Sequence, residues 1–377
     1  MKLCVFPNDP LKAYFEKGEI KERYFNPKNL FDEIHVISFT DNEIEEERIK
    51  IVAGDAKLVI HCVGMINLIN MRKKVGHIIK IVSEINPDVI RTFNPLIQGW
   101  IATKCSKELN IPLVLSIHGE FDRFRNMIKK QNFKQYLKLI YTSKFVEPYV
   151  IRNADRVICV CKVVIPYAKK YGAKSIDLIY NKVSLKKFYP KPKENETPVI
   201  ITVGRLIKQK NHEIILNAIR SLNVKLIIIG DGEDYGRLVN IVNKLGINEN
   251  VSFHRNVPNS QINQFYQNAD IFVLAMRTDL ESLPIPILEA MATGLPVIIP
   301  KSKLIELEDD LGKGVIRVEN KPEEFSKAIK KILKDSKLYE KLSHEVLVKI
   351  NDFNGDIMEE KESKLYFEII KNNKKLF

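Results

Sequence analysis

Cysteine is scarce in this 377-residue sequence: there are five, Cys4, Cys62, Cys105, Cys159 and Cys161. An odd count without dense spacing excludes a disulfide framework, and most of the five lie in or beside apolar runs, where buried thiols are expected. Cys159 and Cys161 have one residue between them where a redox pair has two, and no second Cys or His cluster lies nearby to complete a zinc site. Long apolar runs are also missing. Residues 226–229 and 271–276 are typical of the longest, far short of the roughly 18 needed to span a bilayer. The 16 glycines and 17 prolines are scattered without period, which excludes collagen-like and low-complexity chains. The opening Met1-Lys2-Leu3-Cys4-Val5-Phe6-Pro7 meets a proline too early for a secretory leader, so a cytoplasmic location is expected.

What is present is a basic chain with an ordinary core. Sixty Lys and Arg against 47 Asp and Glu give a net charge of +13, and 45% apolar residues suffice to bury a core. Short Val- and Ile-rich runs alternate with helix-length amphipathic stretches: residues 2–6, 34–38, 58–62, 88–91, 113–117, 157–160 and 177–179, then 199–203, 224–229, 251–253, 271–274 and 297–299. Near-continuous apolar strands separated by helices predict parallel sheets covered on both faces, hence a doubly wound α/β fold. Residues 190–198 break the rhythm with three prolines among charges and read as an interdomain linker. The expected organisation is two Rossmann-like domains, 1–190 and 191–355, facing a cleft, with a last helix, 356–377, that could pack on either half, back on the first domain included. Ile357, Leu365, Tyr366, Ile369 and Ile370 are expected on one face of that helix.

In open α/β sheets ligands gather at the carboxyl ends of the strands, and the informative motifs fall just after expected strands. The run at 199–203 leads into Gly204-Arg205-Leu206-Ile207-Lys208-Gln209-Lys210-Asn211. Gly204 permits a tight turn, and Arg205 and Lys210 at a strand end suit a pyrophosphate, one as a fork and the other as a point charge. The next run ends in Gly230-Asp231-Gly232, a common turn that completes neither G-x-G-x-x-G nor a P-loop. The sharpest block is Glu281-Ser282-Leu283-Pro284-Ile285-Pro286-Ile287-Leu288-Glu289-Ala290-Met291-Ala292-Thr293-Gly294-Leu295-Pro296. Its prolines fit only a first helical turn, and Gly294 with Pro296 marks the end, which predicts a helix over residues 284–293. The start of that helix, Leu283, Pro284 and Ile285, is expected to face a phosphate. Glu281 and Glu289 are expected to accept hydrogen bonds from hydroxyl groups on either side of it.

These residues carry a resemblance. Glu281 and Glu289 with seven residues between them, followed by Ala-Met-Ala-x-Gly-x-Pro-Val, resemble the retaining glycosyltransferases of family 4, which have the two-domain GT-B fold. Gly204-Arg205-Leu206…Lys210 resembles that family's diphosphate motif, and Gly230-Asp231-Gly232 and Val251-Ser252-Phe253…Asn256-Val257 resemble other parts of its C-terminal half. Residues 154–160, with Asn181-x-Val183…Phe188-x-Pro190, resemble the approach to the linker. The sequence departs from the family at Ser282-Leu283, where Gly-Phe is usual, and at Asn181-Lys182-Val183-Ser184, where Asn-Gly-Val-Asp is usual. The resemblance implies a hexosyltransferase that retains anomeric configuration and takes a UDP- or GDP-sugar as donor. It implies Arg205 and Lys210 on the diphosphate, Glu289 on the ribose, Glu281 on the transferred sugar, and the backbone at Asn256 and Val257 against the nucleobase. His118, after the run at 113–117 and before Gly119, matches the family's histidine that contacts the donor sugar. No metal or other cofactor is required in that scheme, and Asp309-Asp310 reads as a solvated acidic run.

Other readings stay open at this level. Glu281 and Glu289 suit the carboxylate pair of a glycoside hydrolase, although a neutral sugar has no need of Arg205 and Lys210. Nucleotide-sugar epimerases and sugar phosphorylases share similar folds. The net charge alone would suit a nucleic-acid or membrane binder, but no nucleic-acid motif is present, so no nucleic acid is expected as a partner. Residues 121–150 carry seven Lys or Arg against Asp122 and Glu147, interleaved with Phe121, Phe124, Met127, Ile128, Phe133, Tyr136, Leu137, Ile140 and Tyr141. That stretch is either an interfacial surface for anionic lipid at the inner face of the cell membrane or a core-packed helix with a solvated basic face. The expected acceptor is a glycan or lipid-linked hydroxyl, in cell-surface polysaccharide or glycolipid synthesis.

Overall fold

A computed structural model describes residues 1–16, 18, 20–129, 132–192, 195–277, 283–304 and 311–374. The chain forms two compact units, one of Met1–Tyr180 with the C-terminal stretch from Met358 on, the other of Asn181–Ile357. The first is built on strands β1 (Lys2–Phe6), β2 (Glu33–Ser38), β3 (Lys57–Cys62), β4 (Val89–Thr92), β5 (Leu113–Ile117), β6 (Arg156–Cys159) and β7 (Ile176–Leu178). They form one parallel sheet in the order β3-β2-β1-β4-β5-β6-β7. The second contains β8 (Val199–Val203), β9 (Lys225–Ile229), β10 (Val251–His254), β11 (Ile271–Val273), β12 (Val297–Pro300) and β13 (Val315–Val318). These are also parallel, in the order β10-β9-β8-β11-β12-β13.

Every apolar run read as a strand is one. The sequence reading missed β13, Val315-Ile316-Arg317-Val318, a four-residue strand that, among the described residues, pairs with β12 alone. An edge strand half open to solvent tolerates an arginine, so its apolar signal is weak. Helices between strands cover both faces of each sheet, which is why the central strands are buried along their length and read as continuous apolar runs.

The chain passes from the first unit to the second at Tyr180/Asn181, ahead of the proline-rich stretch. Residues 187–192 and Asn195 are tied into the second unit. Phe188 packs edge-on against Tyr266, Gln267 donates to the Tyr189 carbonyl at 3.0 Å, and Asn195 donates to Asp270 at 2.9 Å. Lys193 and Glu194 lie outside the described residues. All five cysteines are free thiols; Cys62 is exposed and the other four are buried, and burial pushes the thiols of Cys105 and Cys159 up to about 12, where they are inert at neutral pH. Among the described residues no helix is long and apolar enough to cross a membrane.

The last helix, Gly355–Lys374, contributes Met358, Leu365, Tyr366, Ile369 and Ile370 to the core of the first unit. Ile357 is not on that face: it is exposed, and Met358 occupies the helical position that leads to Glu362 and Tyr366. At the centre of this contact Arg91 of β4 donates to Glu362, to the Tyr366 hydroxyl at 2.9 Å and to Ser116 Oγ at 3.1 Å. Its guanidinium also lies 4.3 Å from the centre of the Phe93 ring. Arg23 pairs with Glu359 at 3.2 Å one turn earlier. Both members of the Arg91–Glu362 pair are buried, so removing one leaves the other charged and desolvated. Glu362→Ala is therefore expected to cost about 3–5 kcal/mol of stability in urea denaturation, whereas Ile357→Ala, at an exposed position of the same helix, should leave the midpoint unchanged.

Candidate functional site

In the second unit the strand order steps outward from β8 in both directions, through β9 to β10 and through β11 to β12. The loops after β8 and β11 therefore diverge to opposite faces, and the crevice between them is the topological switch point where ligands of such sheets bind. The sequence places its sharpest motifs there.

The loop after β8 is held from beneath by the loop after β9. Gly204 donates to the Ile229 carbonyl at 2.9 Å, Leu206 to the Asp231 carbonyl at 2.8 Å, and Asp234 to the Leu206 carbonyl at 2.9 Å. A Cβ on Gly230 would lie 2.0 Å from the Gly204 carbonyl oxygen, and one on Gly232 would lie 2.2 Å from that of Leu206. Gly230-Asp231-Gly232 is thus more than a common turn: two backbones touch, and a side chain at either glycine would part them. The Lys210 side chain lies across Gly204, its Cδ and Cε 3.6 Å from where a Cβ would stand. Arg205 is exposed beside it. The loop closes through a short turn at Lys208–Lys210 and a left-handed Asn211 before helix His212–Ile219 begins.

His212 was not singled out by sequence reasoning, yet it anchors this loop. It is buried, and its Nε2 lies 3.3 Å from the Arg205 carbonyl oxygen. Burial pushes its pKa down to about 4, so at neutral pH the ring is uncharged and donates through Nε2. The available signal was periodicity: His212 occupies the first place of the apolar stripe continued by Ile215, Leu216 and Ile219.

Three further groups stand on the same sheet edge. Asp231 accepts from Arg255 at 2.8 and 3.1 Å and from the Gly232 N–H at 2.8 Å, and these bonds, with one from the Asn256 side chain, hold its carboxyl below the usual range. Asn256 adopts a positive φ of 54° and is exposed, with Val257 half-buried after it. The loop after β11 crosses to the β8 loop, Arg277 donating to the Gln209 carbonyl at 2.8 Å. Glu281 and Ser282 lie outside the described residues, as do Asp309 and Asp310.

Leu283, Pro284 and Ile285 are half-buried at the start of helix Ile285–Ala292, close to the expected span. Pro284 and Pro286 have no N–H, and the Ile287 N–H turns back to the Pro284 carbonyl at 3.1 Å, so the donors left at this end are those of Leu283 and Ile285. Glu289 is buried in the middle of the helix, where its carboxylate accepts the Tyr266 hydroxyl at 2.9 Å. Burial, reinforced by the Glu289 charge, raises the Tyr266 pKa well above the phenol range, so Tyr266 stays a donor. Tyr266 is a second residue that sequence reasoning missed, and nothing local marks it out.

His118 belongs to the first unit, where it follows β5. Its ring is exposed and stacks on Phe93 with centroids 5.6 Å apart. The densely packed surroundings, and then the charges of Arg91 and Lys21, disfavour imidazolium, so its pKa lies below the ordinary histidine range. Among the described residues no group of three or more His, Cys, Asp or Glu side chains is gathered to hold a metal ion.

Two stability measurements test this geometry. Gly230→Ala should destabilise by more than about 1 kcal/mol, whereas Gly236→Ala, with nothing within 4 Å of the added Cβ, should stabilise its helix by roughly 0.5 kcal/mol. Since the His212 pKa is depressed in the folded state, its contribution is complete above the unfolded value near 6.5 and is lost as pH falls towards 4. His212→Gln, which keeps a donor at the Nε2 position, should flatten the decline of Tm between those values.

Two family descriptions match the sequence in succession: "Glycosyltransferase Family 4" over residues 30–187 and "Glycosyl transferases group 1" over residues 185–346. An uncharacterised glycosyltransferase of Methanocaldococcus jannaschii is 24% identical over 82% of this chain and 83% of its own. The alpha-monoglucosyldiacylglycerol synthase of Acholeplasma laidlawii is 24% identical over 77% of each. Among solved structures, sucrose-phosphate synthase from Thermosynechococcus elongatus superimposes with a TM-score of 0.76 at 16% identity, covering 99% of this chain and 100% of that one. The Anabaena protein HepE in complex with UDP gives 0.74 at 15% identity, covering 98% and 100%. With both parallel-sheet units accounted for by consecutive parts of one enzyme family, the chain belongs to glycosyltransferase family 4 and is a glycosyltransferase of GT-B fold.

Proposed function

We propose that this glycosyltransferase moves a hexose from a nucleotide diphosphate sugar to a hydroxyl of a glycan or lipid-linked acceptor, with retention of anomeric configuration. The observation that carries the reading is the Gly204–Lys210 loop, which presents two cations at the switch point of the sheet on a backbone fixed by Gly230 and Gly232. Arg205 and Lys210 bind the donor diphosphate, joined by the N–H groups of Leu283 and Ile285 at the helix start beside Pro284. Glu289, oriented by Tyr266, accepts from the ribose hydroxyls. The backbone at Asn256 and Val257 meets the nucleobase, Glu281 accepts from hydroxyls of the transferred sugar, and neutral His118 contacts that sugar.

In the reaction the bond between the anomeric carbon and the phosphate oxygen breaks, and a bond to the acceptor oxygen forms on the same face. The acceptor proton passes to the departing phosphate. Charge builds on the diphosphate, where preorganised cations stabilise it most, so neither a protein general base nor a metal ion is required. The Anabaena structures with UDP and UDP-glucose support a uridine donor. A Mycolicibacterium smegmatis relative named as GDP-mannose-dependent, 31% identical over 28% of this chain, keeps a guanosine donor in the test. The name of the A. laidlawii relative, a monoglucosyldiacylglycerol synthase, supports a lipid acceptor, and with such an acceptor the enzyme works at the cytoplasmic membrane face, in glycolipid or cell-surface polysaccharide synthesis.

Thermal shift with UDP, GDP, ADP and their sugar conjugates tests the reading. A ligand at 100 times its Kd should add about 2.7 kcal/mol to native stability, for one base only, unaffected by EDTA, and lost in Arg205→Ala and Glu289→Ala. With the matching donor, Arg205→Ala should lower kcat about 100-fold. Stabilisation by free oligosaccharide and by no nucleotide would replace the proposal with a hydrolase or phosphorylase.

A further inference from the structure

Helix Phe133–Tyr141 of the first unit is anomalous for a globular protein, because it has no buried residue. A nine-residue helix is marginal alone and is ordinarily held by an apolar stripe packed on the core. Here Tyr136, Leu139 and Ile140 are only half-buried, and a second apolar stripe is turned outward. Phe133, Leu137 and Tyr141 are 64%, 52% and 39% exposed, and Phe145, just beyond in a π-helical turn, is 62% exposed and packs on Tyr141 with ring centroids 5.2 Å apart. At about 100° per residue the three helix positions fall in one narrow arc. Phe124, 38% exposed on the preceding helix Phe121–Ile128, adds a further apolar side chain. Single exposed apolar residues are ordinary, but a row of them on an unburied helix is not.

The charges complete the pattern. Lys129, Lys134, Lys138 and Lys144 are all exposed. The two acidic residues of residues 121–150 face inward: Glu147, fully buried, accepts from Arg125, Thr142 and Tyr167, and Asp122 binds Arg125, Lys170 and Tyr171. Arg125 is buried with them. This polar cluster fixes the base of the element and pairs both of its carboxylates with cations, so the exposed charged side chains described in this stretch are all cations, set among apolar residues and the neutral Asn126, Asn132 and Gln135. A core-packed helix with a solvated basic face, the alternative left open by the sequence, does not account for the exposed row Phe133, Leu137 and Tyr141.

We propose that this surface docks on an anionic lipid bilayer. Helix Phe133–Tyr141 lies in the plane of the interface, with Phe133, Leu137, Tyr141 and Phe145 in the acyl boundary and the lysines at the headgroup phosphates. Charge selects the occupant: a second copy of this +13 chain would set the same lysines against each other, whereas an anionic leaflet complements them. Docking deepens the reading that the acceptor is lipid-linked, but it requires no donor, so the two can fail separately.

The test is flotation of the full chain with vesicles of phosphatidylcholine alone or with phosphatidylglycerol. Binding should require phosphatidylglycerol and weaken at high salt. Lys134→Gln with Lys138→Gln should weaken it about fivefold per lysine. Phe133→Ser with Leu137→Ser and Phe145→Ser should weaken it at least 100-fold, to order of magnitude, while Val348→Ser, at an exposed position of the second unit, should not. As none of these side chains is buried, the variants should melt like wild type and keep any nucleotide-induced shift. The proposal is overturned if wild type ignores anionic vesicles at low salt, if the apolar variant binds as well, or if wild type sediments as a dimer that the apolar variant abolishes.

Discussion

Parallel strands can be joined only by crossovers, and a crossover must lie on a face of the sheet. Both sheets here are parallel throughout, so both faces are covered and both become apolar. Polar chemistry is then left the strand ends, and the carboxyl ends are where loops from neighbouring strands converge. The contact between the β8 and β9 loops shows how tightly they do so: the backbone of Gly230 and Gly232 lies against the carbonyls of Gly204 and Leu206. Arg205 and Lys210 owe their position to that contact. A loop whose backbone is fixed in this way has less conformational freedom to lose on binding a ligand than a free loop would.

Buried polar groups do a second kind of work. Arg91–Glu362, Arg125–Glu147 and Glu289–Tyr266 each set a charge in the interior beside a specific partner. Hydrophobic burial is indifferent to register, but a buried carboxylate tolerates few alternative placements, because every other one leaves it unpaired. Glu362 fixes how the last helix lies on the first sheet, and Arg125–Glu147 does the same for the helices after β5. Neutral His212 acts similarly, one ring nitrogen against the Arg205 carbonyl being enough to tie a loop to the helix that follows it.

The cationic excess divides by location. Arg205 and Lys210 stand at a strand end, where the proposed partner is a small anion, while Lys129, Lys134, Lys138 and Lys144 surround an exposed apolar row, where the proposed partner is an extended surface. The same side-chain type serves two purposes because the neighbouring apolar area differs, and net charge alone distinguishes neither.

The sequence by itself determined the sheets and the motif loops. Val- and Ile-rich runs bounded by turn residues located β1 to β12, since strands buried on both faces carry their signal locally, and only the half-exposed edge strand β13 escaped. The helix after Pro284 was legible because proline and glycine constrain the backbone within a few residues of themselves. Tertiary structure alone decided the rest. It showed that Gly230 and Gly232 are required by a backbone from another strand, that Tyr266 orients Glu289 from 23 positions away in sequence, that Met358 rather than Ile357 enters the core, and that Phe133, Leu137 and Tyr141 face out. Each depends on what lies opposite in space, and a one-dimensional pattern records a residue's chemistry and period but not its partner.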